Sequence, residues 1–304
     1  MKLATTTGDF HGYSNNMAET VSFYQGTGFK LLDMSFYNVI YPDSPFCASG
    51  DDWKKSVEEV AEAAEKYGFD FCQAHSPDGG QFTGGEKYDQ LILVTKRTIE
   101  ACAMLGIEQT VVHAIWSPDF TPSMFMQRNK EFYSLFFDDM EKHGVNVLIE
   151  NGCEINNLHY YLRTGMEMRE FLDYANHPLL HACWDTGHAH MRNKEQYDCI
   201  KLLGDELYAV HINDNLGKSD SHIPPYFGSC NFDQVIQALL DIDFKRPFTF
   251  EVGNSLHNRR KEWIHNGIAI NLLGQVPLHL KQQAVALVYQ IGKYMLEQYD
   301  CFEE

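Results

Sequence analysis

A short apolar run followed by a helix-patterned stretch recurs about eight times along this 304-residue chain. The runs are Lys2–Thr5, Lys30–Ser35, Asp70–Ala74, Thr110–His113, Asn146–Glu150, Leu179–Asp185, Tyr208–Ile212 and Phe248–Val252. They are rich in Val, Ile, Leu and Phe and lack clean apolar–polar alternation. That is the pattern of parallel strands covered on both faces. Strands alternating with helices imply a parallel sheet, and eight such units favour an α/β fold of the closed (β/α)8 TIM-barrel kind over an open doubly wound sheet.

The intervening stretches carry helical stripes. Ser49 is placed to cap a helix with Val57, Val60, Ala61 and Ala64 on one face, ending at Gly68. Leu91, Val94, Thr98, Cys102 and Leu105 form a stripe that stops at Gly106. Phe132, Leu135, Phe136 and Met140 form another that stops at Gly144. Leu280, Ala284, Leu287, Val288, Ile291 and Met295 mark a long terminal helix. No GxGxxG follows the first strand, so a dinucleotide site has no support. No linker or low-complexity stretch divides the chain, and residues 1–304 read as one domain. Two irregular segments, Asn215–Cys230 and Asn254–Gln275, fall after strands seven and eight, where a barrel places its site. Both are candidate lids.

Composition narrows the partners. The formal net charge is −18. Phosphate-backbone binding depends on Lys and Arg displacing counterions, so a nucleic-acid partner is disfavoured. No stretch approaches 18 uninterrupted apolar residues, so no membrane span is expected. The start of the chain lacks the apolar core of a signal peptide. The cysteines, at 47, 72, 102, 153, 183, 199, 230 and 301, never fall in CxxC spacing. Free thiols and a reducing cytoplasm are the expectation.

Acidic and imidazole residues gather at the C-terminal ends of the strand runs. His75 follows strand three, His113 ends strand four and Glu150 ends strand five. Asp185 and His188 end strand six, and His211 sits near the end of strand seven. Asp220 and His222 lie in the next loop, and Glu251 ends strand eight. Any one of them can be an ordinary hydrogen-bonded strand end. Together, six consecutive strands deliver a titratable group to one rim. Burying several carboxylates is costly unless a cation or protons compensate. Carboxylates with imidazole are a donor set that a divalent metal accepts.

These residues stand in Leu-Ile-Glu-Asn at 148–151, Trp-Asp-Thr-Gly-His at 184–188, His-Ile-Asn-Asp at 211–214 and Phe-Glu-Val at 250–252. In that order the chain resembles, over nearly its whole length, the xylose isomerase-like barrel superfamily. Within it the likeness is to the sugar phosphate isomerase/epimerase branch, with ketose 3-epimerases, inosose dehydratase and endonuclease IV as relatives. The resemblance implies one divalent ion (Mn, Co, Mg or Zn) on Glu150, Asp185, His211 and Glu251. It implies proton abstraction next to a carbonyl, with Glu150 and Glu251 exchanging the proton and His188 contacting substrate. Trp116, just past His113, is a candidate for packing on a sugar face.

The larger endonuclease IV set adds His75, His113, Asp220 and His222, so up to three zinc ions are compatible with residue identity. On that alternative the protein is a multinuclear zinc phosphoesterase; an inosose dehydratase-like lyase is another. Otherwise His75, His113 and His222 are expected to contact substrate around a single ion. A non-catalytic binding barrel would be expected to have lost part of the quartet, which is intact. The epimerase pattern departs at one place. Where those enzymes commonly carry Arg after the strand-seven His motif, this chain has Lys218, a point charge without a planar fork. The expected partner is a small carbohydrate, and a homo-oligomer is an expectation the resemblance carries.

Overall fold

The computed structural model describes residues 1–77, 82, 84–152, 160–192, 195–256 and 263–304. Eight strands form one parallel sheet: β1 Leu3–Thr6, β2 Leu31–Ser35, β3 Asp70–His75, β4 Gln109–Val111, β5 Asn146–Glu150, β6 Leu180–Asp185, β7 Leu207–His211 and β8 Phe248–Phe250. The hydrogen-bonded order is β7-β6-β5-β4-β3-β2-β1-β8. A parallel bridge between Ile212 and Phe250 joins the two ends, so the sheet closes into the expected (β/α)8 barrel.

The helices lie outside it: α1 Met17–Ser22, α2 Asp52–Tyr67, α3 Gly85–Met104, α4 Pro122–Ser134, α5 Phe137–His143, α6 Gly165–Ala175, α7 Thr186–Met191, α8 Gln196–Leu203, α9 Phe232–Asp241 and α10 Leu278–Glu297. Their buried faces and the outer faces of the strands form the main apolar core. A second, small cluster of Val111, Leu148, Cys183 and Ala209 comes from β4 to β7 and fills part of the barrel's inside.

Several boundaries differ from the sequence reading. Strands β4 and β8 end earlier, so His113 and Glu251 stand just past the regular ladder. Backbone bonds still hold those ends in place, Val112 N–H to Leu148 O at 2.9 Å and Glu251 N–H to Ile212 O at 3.1 Å. Helix α2 starts at Asp52 with Asp51 as its cap, so Ser49 does not cap it. Its buried residues include Trp53, Val57, Val60, Ala63 and Ala64, whereas Ala61 faces solvent. The stripe from Phe132 to Met140 is two helices, broken at an exposed Leu135. Helices α2 and α5 do end at glycines, Gly68 at φ +73° and Gly144 at φ +66°, where a side chain would be strained. Helix α10 turns Val285, Val288, Gly292 and Met295 inward, and leaves Leu280 and Leu287 exposed. The expected stripe was therefore rotated by about one residue.

Between β8 and α10, strands β9 Trp263–His265 and β10 Ile268–Ile270 form an antiparallel pair with every residue exposed. Residues 257–262 of that candidate lid lie outside the described residues, as does Cys153. Every other cysteine is a free thiol. Among the described residues, no helix is long and apolar enough to cross a membrane.

Candidate metal centre

The barrel brings the strand-end residues to one point. His75 on β3 and His211 on β7 come from opposite sides of the ring, yet their rings stack with centroids 5.5 Å apart and planes within 18°. Glu150 lies between them and is 1% exposed. His211 Nδ1 is 2.9 Å from Glu150 Oε1 and 3.4 Å from Glu251 Oε2. Glu150 Oε2 faces the other way, 3.2 Å from His113 Nε2 and 3.7 Å from His75 Nε2. The two histidine Nε2 atoms are themselves 3.1 Å apart. Glu150, Asp185, His211 and Glu251 each offer a donor atom, and all four atoms lie within 4.8 Å of one another.

Neighbouring amides fix Asp185 in this group. The Asn151 side chain accepts from Asp185 N–H at 2.7 Å and donates to Asp185 O at 2.9 Å. Asn213 Nδ2 donates to Asp185 Oδ2 at 2.6 Å, and His188 N–H donates to Asp185 Oδ1 at 2.6 Å. Asp185 thereby caps α7, which carries His188 into the site. The glycine in Trp-Asp-Thr-Gly-His follows from the same packing, because a Cβ on Gly187 would run into the Asn213 side chain.

A second group adjoins the first. His188, Asp220 and His222 also bring donor atoms within 4.8 Å of one another. Asp220 Oδ2 is 2.9 Å from His222 Nε2 and 3.5 Å from His188 Nε2. His222 Nδ1 returns to Glu251, 3.4 Å from Oε2.

The groups of this cluster shift one another's pKa values. Burial alone would raise the Glu150 carboxyl, but the charges of His211 and His113, with hydrogen bonds from His211 and His75, hold it well below the ordinary range. Burial likewise opposes ionisation of Glu251, and His211, His222 and His75 outweigh it and lower the carboxyl. The imidazoles shift oppositely. Burial disfavours the charge on His211, yet the surrounding anionic groups raise it well above the usual value. His222 rises to about 10 against its burial, because Glu251, Asp220 and Asp185 surround it. Asp185 is pushed up to about 6 by burial, partly offset by His188.

These residues fit a divalent cation. Glu150 Oε2 is buried without a hydrogen-bond partner. Three carboxylates and an imidazole converge here. Buried charge of this density costs several kcal/mol unless neutralised. A borderline divalent ion takes this N/O donor set.

A cavity of about 500 Å3 has Thr7, Met17, Thr20, Ser35, Phe46 and Ser56 among its walls, and none of the titratable strand-end residues is among the described residues that line it.

All the strand-end residues singled out in the sequence are therefore drawn together. Two others are not part of the group. Trp116 is half-buried against the main core, and Lys218 is exposed in the loop after β7. The sequence reading assigned no role to Asn151, Asn213 or Asp33. The two asparagines stood inside the quoted motifs, and Asp33 is an isolated charge within an apolar strand, which was signal enough to mark it.

Residues 28–270 match the family model described as xylose isomerase-like TIM barrel. The chain belongs to that family. Among curated relatives, protein y4fM of Sinorhizobium fredii is 29% identical over 165 residues, covering 51% of this chain and 50% of that protein. The L-ribulose 3-epimerase of Methylomonas is 33% identical over 112 residues, covering 36% and 35%. The chain thus spans half or less of the length of these two relatives. Among solved xylose isomerase-like structures, a D-psicose 3-epimerase from Clostridium cellulolyticum H10 superposes with a TM-score of 0.73 at 14% identity, over 97% of this chain and 99% of that one. At that identity the superposition speaks for the shared fold.

Proposed function

We propose that this protein is a metal-dependent sugar isomerase or epimerase that moves a proton at the carbon next to a carbonyl. The observation that carries this reading is the Glu150–Asp185–His211–Glu251 quartet, in which both glutamates approach His211 Nδ1. Epimerase names among the relatives support it. A divalent ion on the quartet supplies Lewis acidity toward a carbonyl oxygen. Glu150 and Glu251 then act as the base and acid on the two faces of the reacting carbon. His188 is held by its Nδ1, 2.8 Å from Asn151 O, and its Nε2, now 3.5 Å from Asp220 Oδ2, is the atom that would turn to an oxygen gaining charge. His75, His113 and His222 are the further groups available to contact substrate.

The test is incubation of the metal-loaded protein with unphosphorylated ketoses in D2O. The expected result is deuterium at the carbon beside the carbonyl, together with an epimeric or isomeric product. Hydrolysis of phosphoesters without any such exchange would overturn the reading.

A second reading rests on the His188–Asp220–His222 group and on the convergence of His75 and His113 at Glu150. With ions there as well, the rim would form a multinuclear phosphoesterase site. The −18 net charge places a small phosphoester ahead of a nucleic acid as its substrate.

A further inference from the structure

Asp33 lies in β2, three places around the ring from β7, so it can meet His211 only through the inside of the barrel. It does so, with Oδ2 3.5 Å from His211 Nε2, and both residues are fully buried. His211 Nε2 is buried with no hydrogen-bond partner, as is Asp33 Oδ1, so the 3.5 Å ion-pair approach to Asp33 is what this nitrogen faces. The opposite nitrogen, Nδ1, is the one that faces Glu150 and Glu251. Asp33 is itself held by its register partner on the next strand. Gln73 Nε2 donates to Asp33 Oδ2 at 3.2 Å, and Thr249 Oγ1 donates to Gln73 Oε1 at 3.3 Å. Gln73 is on β3 and Thr249 on β8, so this contact also spans the interior.

A fully buried carboxylate in the middle of a strand is expensive unless something needs its charge. Here its one imidazole neighbour is a member of the quartet. An imidazole that ligates through one nitrogen gains basicity and a fixed tautomer when the other nitrogen donates to a carboxylate.

We propose that Asp33 is a positioning residue for the metal centre. It holds the Nε2–H tautomer of His211, so that Nδ1 presents its lone pair to the ion, and the Gln73–Thr249 chain fixes the angle of its carboxylate. This rests on the quartet being a metal site.

Direct Co2+ titration of the metal-free protein tests it, comparing wild type with Asp33→Asn and Asp33→Leu. Asn keeps an acceptor of the same size without the charge, and Leu removes both. Cobalt affinity is expected to fall by about 10-fold for Asn and about 100-fold for Leu, the range typical of lost outer partners. The visible Co2+ absorption should shift in both. Equal affinity and an unchanged spectrum in Asp33→Asn would overturn the proposal, even if Asp33→Leu fails to fold. A merely structural Asp33 would lower the unfolding temperature of the metal-free variants and leave the spectrum alone. If wild type itself takes up no Co2+, the metal reading fails and this inference with it. Wild-type binding matched by Asp33→Asn would sink this inference alone.

Discussion

Replacing Glu150 by Gln is expected to lower turnover by about 10²–10⁴-fold, the range that a positioned acid–base group contributes, while the barrel stays folded. Gln has the same shape and keeps an oxygen toward His211, so packing is preserved. What it removes is the charge and the proton-accepting group. Folding survives because burial opposes the charge on His75 and His211 and the carboxylates raise both, so losing one carboxylate eases them toward the neutral form. Glu251→Gln should act on turnover to a similar degree. Its side chain is 19% exposed, so its effect on stability should be smaller still. Turnover on the ketose identified by deuterium exchange, with circular dichroism of each variant, checks both. Full turnover in either would remove that glutamate from the proton transfer.

Removing the metal should have the other large effect. Chelation is expected to abolish turnover and to lower the unfolding midpoint. An ion present at about 1,000 times its dissociation constant stabilises the folded state by about 4 kcal/mol, and that is lost with it. The effect should depend on pH in a definite direction. Without metal, the surrounding carboxylates favour the protonated imidazoles, raising His211 well above its usual value and His222 to about 10. Asp185, at about 6, takes up a proton below that value. Binding needs the unprotonated donors, so metal uptake should release protons and tighten as pH rises. Affinity should fall most steeply below about pH 6, where Asp185 is lost as an anionic donor. Calorimetry in buffers of differing ionisation enthalpy measures the release directly. Uptake with no proton release would contradict this picture of the metal-free cluster.

The barrel was legible because its signal is repeated. Each apolar run was ambiguous alone, but their alternation with helices at steady spacing left few topologies. Strand ends were less legible. His113 and Glu251 sit where the ladder gives way to single backbone bonds, and nothing in an apolar run marks that point. The break at Leu135 and the rotation of α10 follow from packing against strands distant in sequence, which local periodicity does not contain. For the site, the titratable residues could be read because each closes a strand, and closure of a barrel aims strand ends at one centre. The pairing of Asp33 with His211 could not be read. It depends on which side chains meet across the ring, and β2 and β7 are about 180 residues apart in the chain. Asn151 and Asn213 act on Asp185 from neighbouring strands by side-chain bonds, and no spacing in the sequence predicts those partners.

The metal-to-chain ratio of the purified protein, reconstituted in turn with Mn, Co and Zn and counted by elemental analysis, tests the account most directly. A ratio near one, lost in Asp185→Asn, is the expected result, since the quartet is one four-donor site. A ratio near three would shift the assignment to the multinuclear reading. No bound metal after reconstitution with any of the three would contradict the central claim that this barrel's rim is a metal centre.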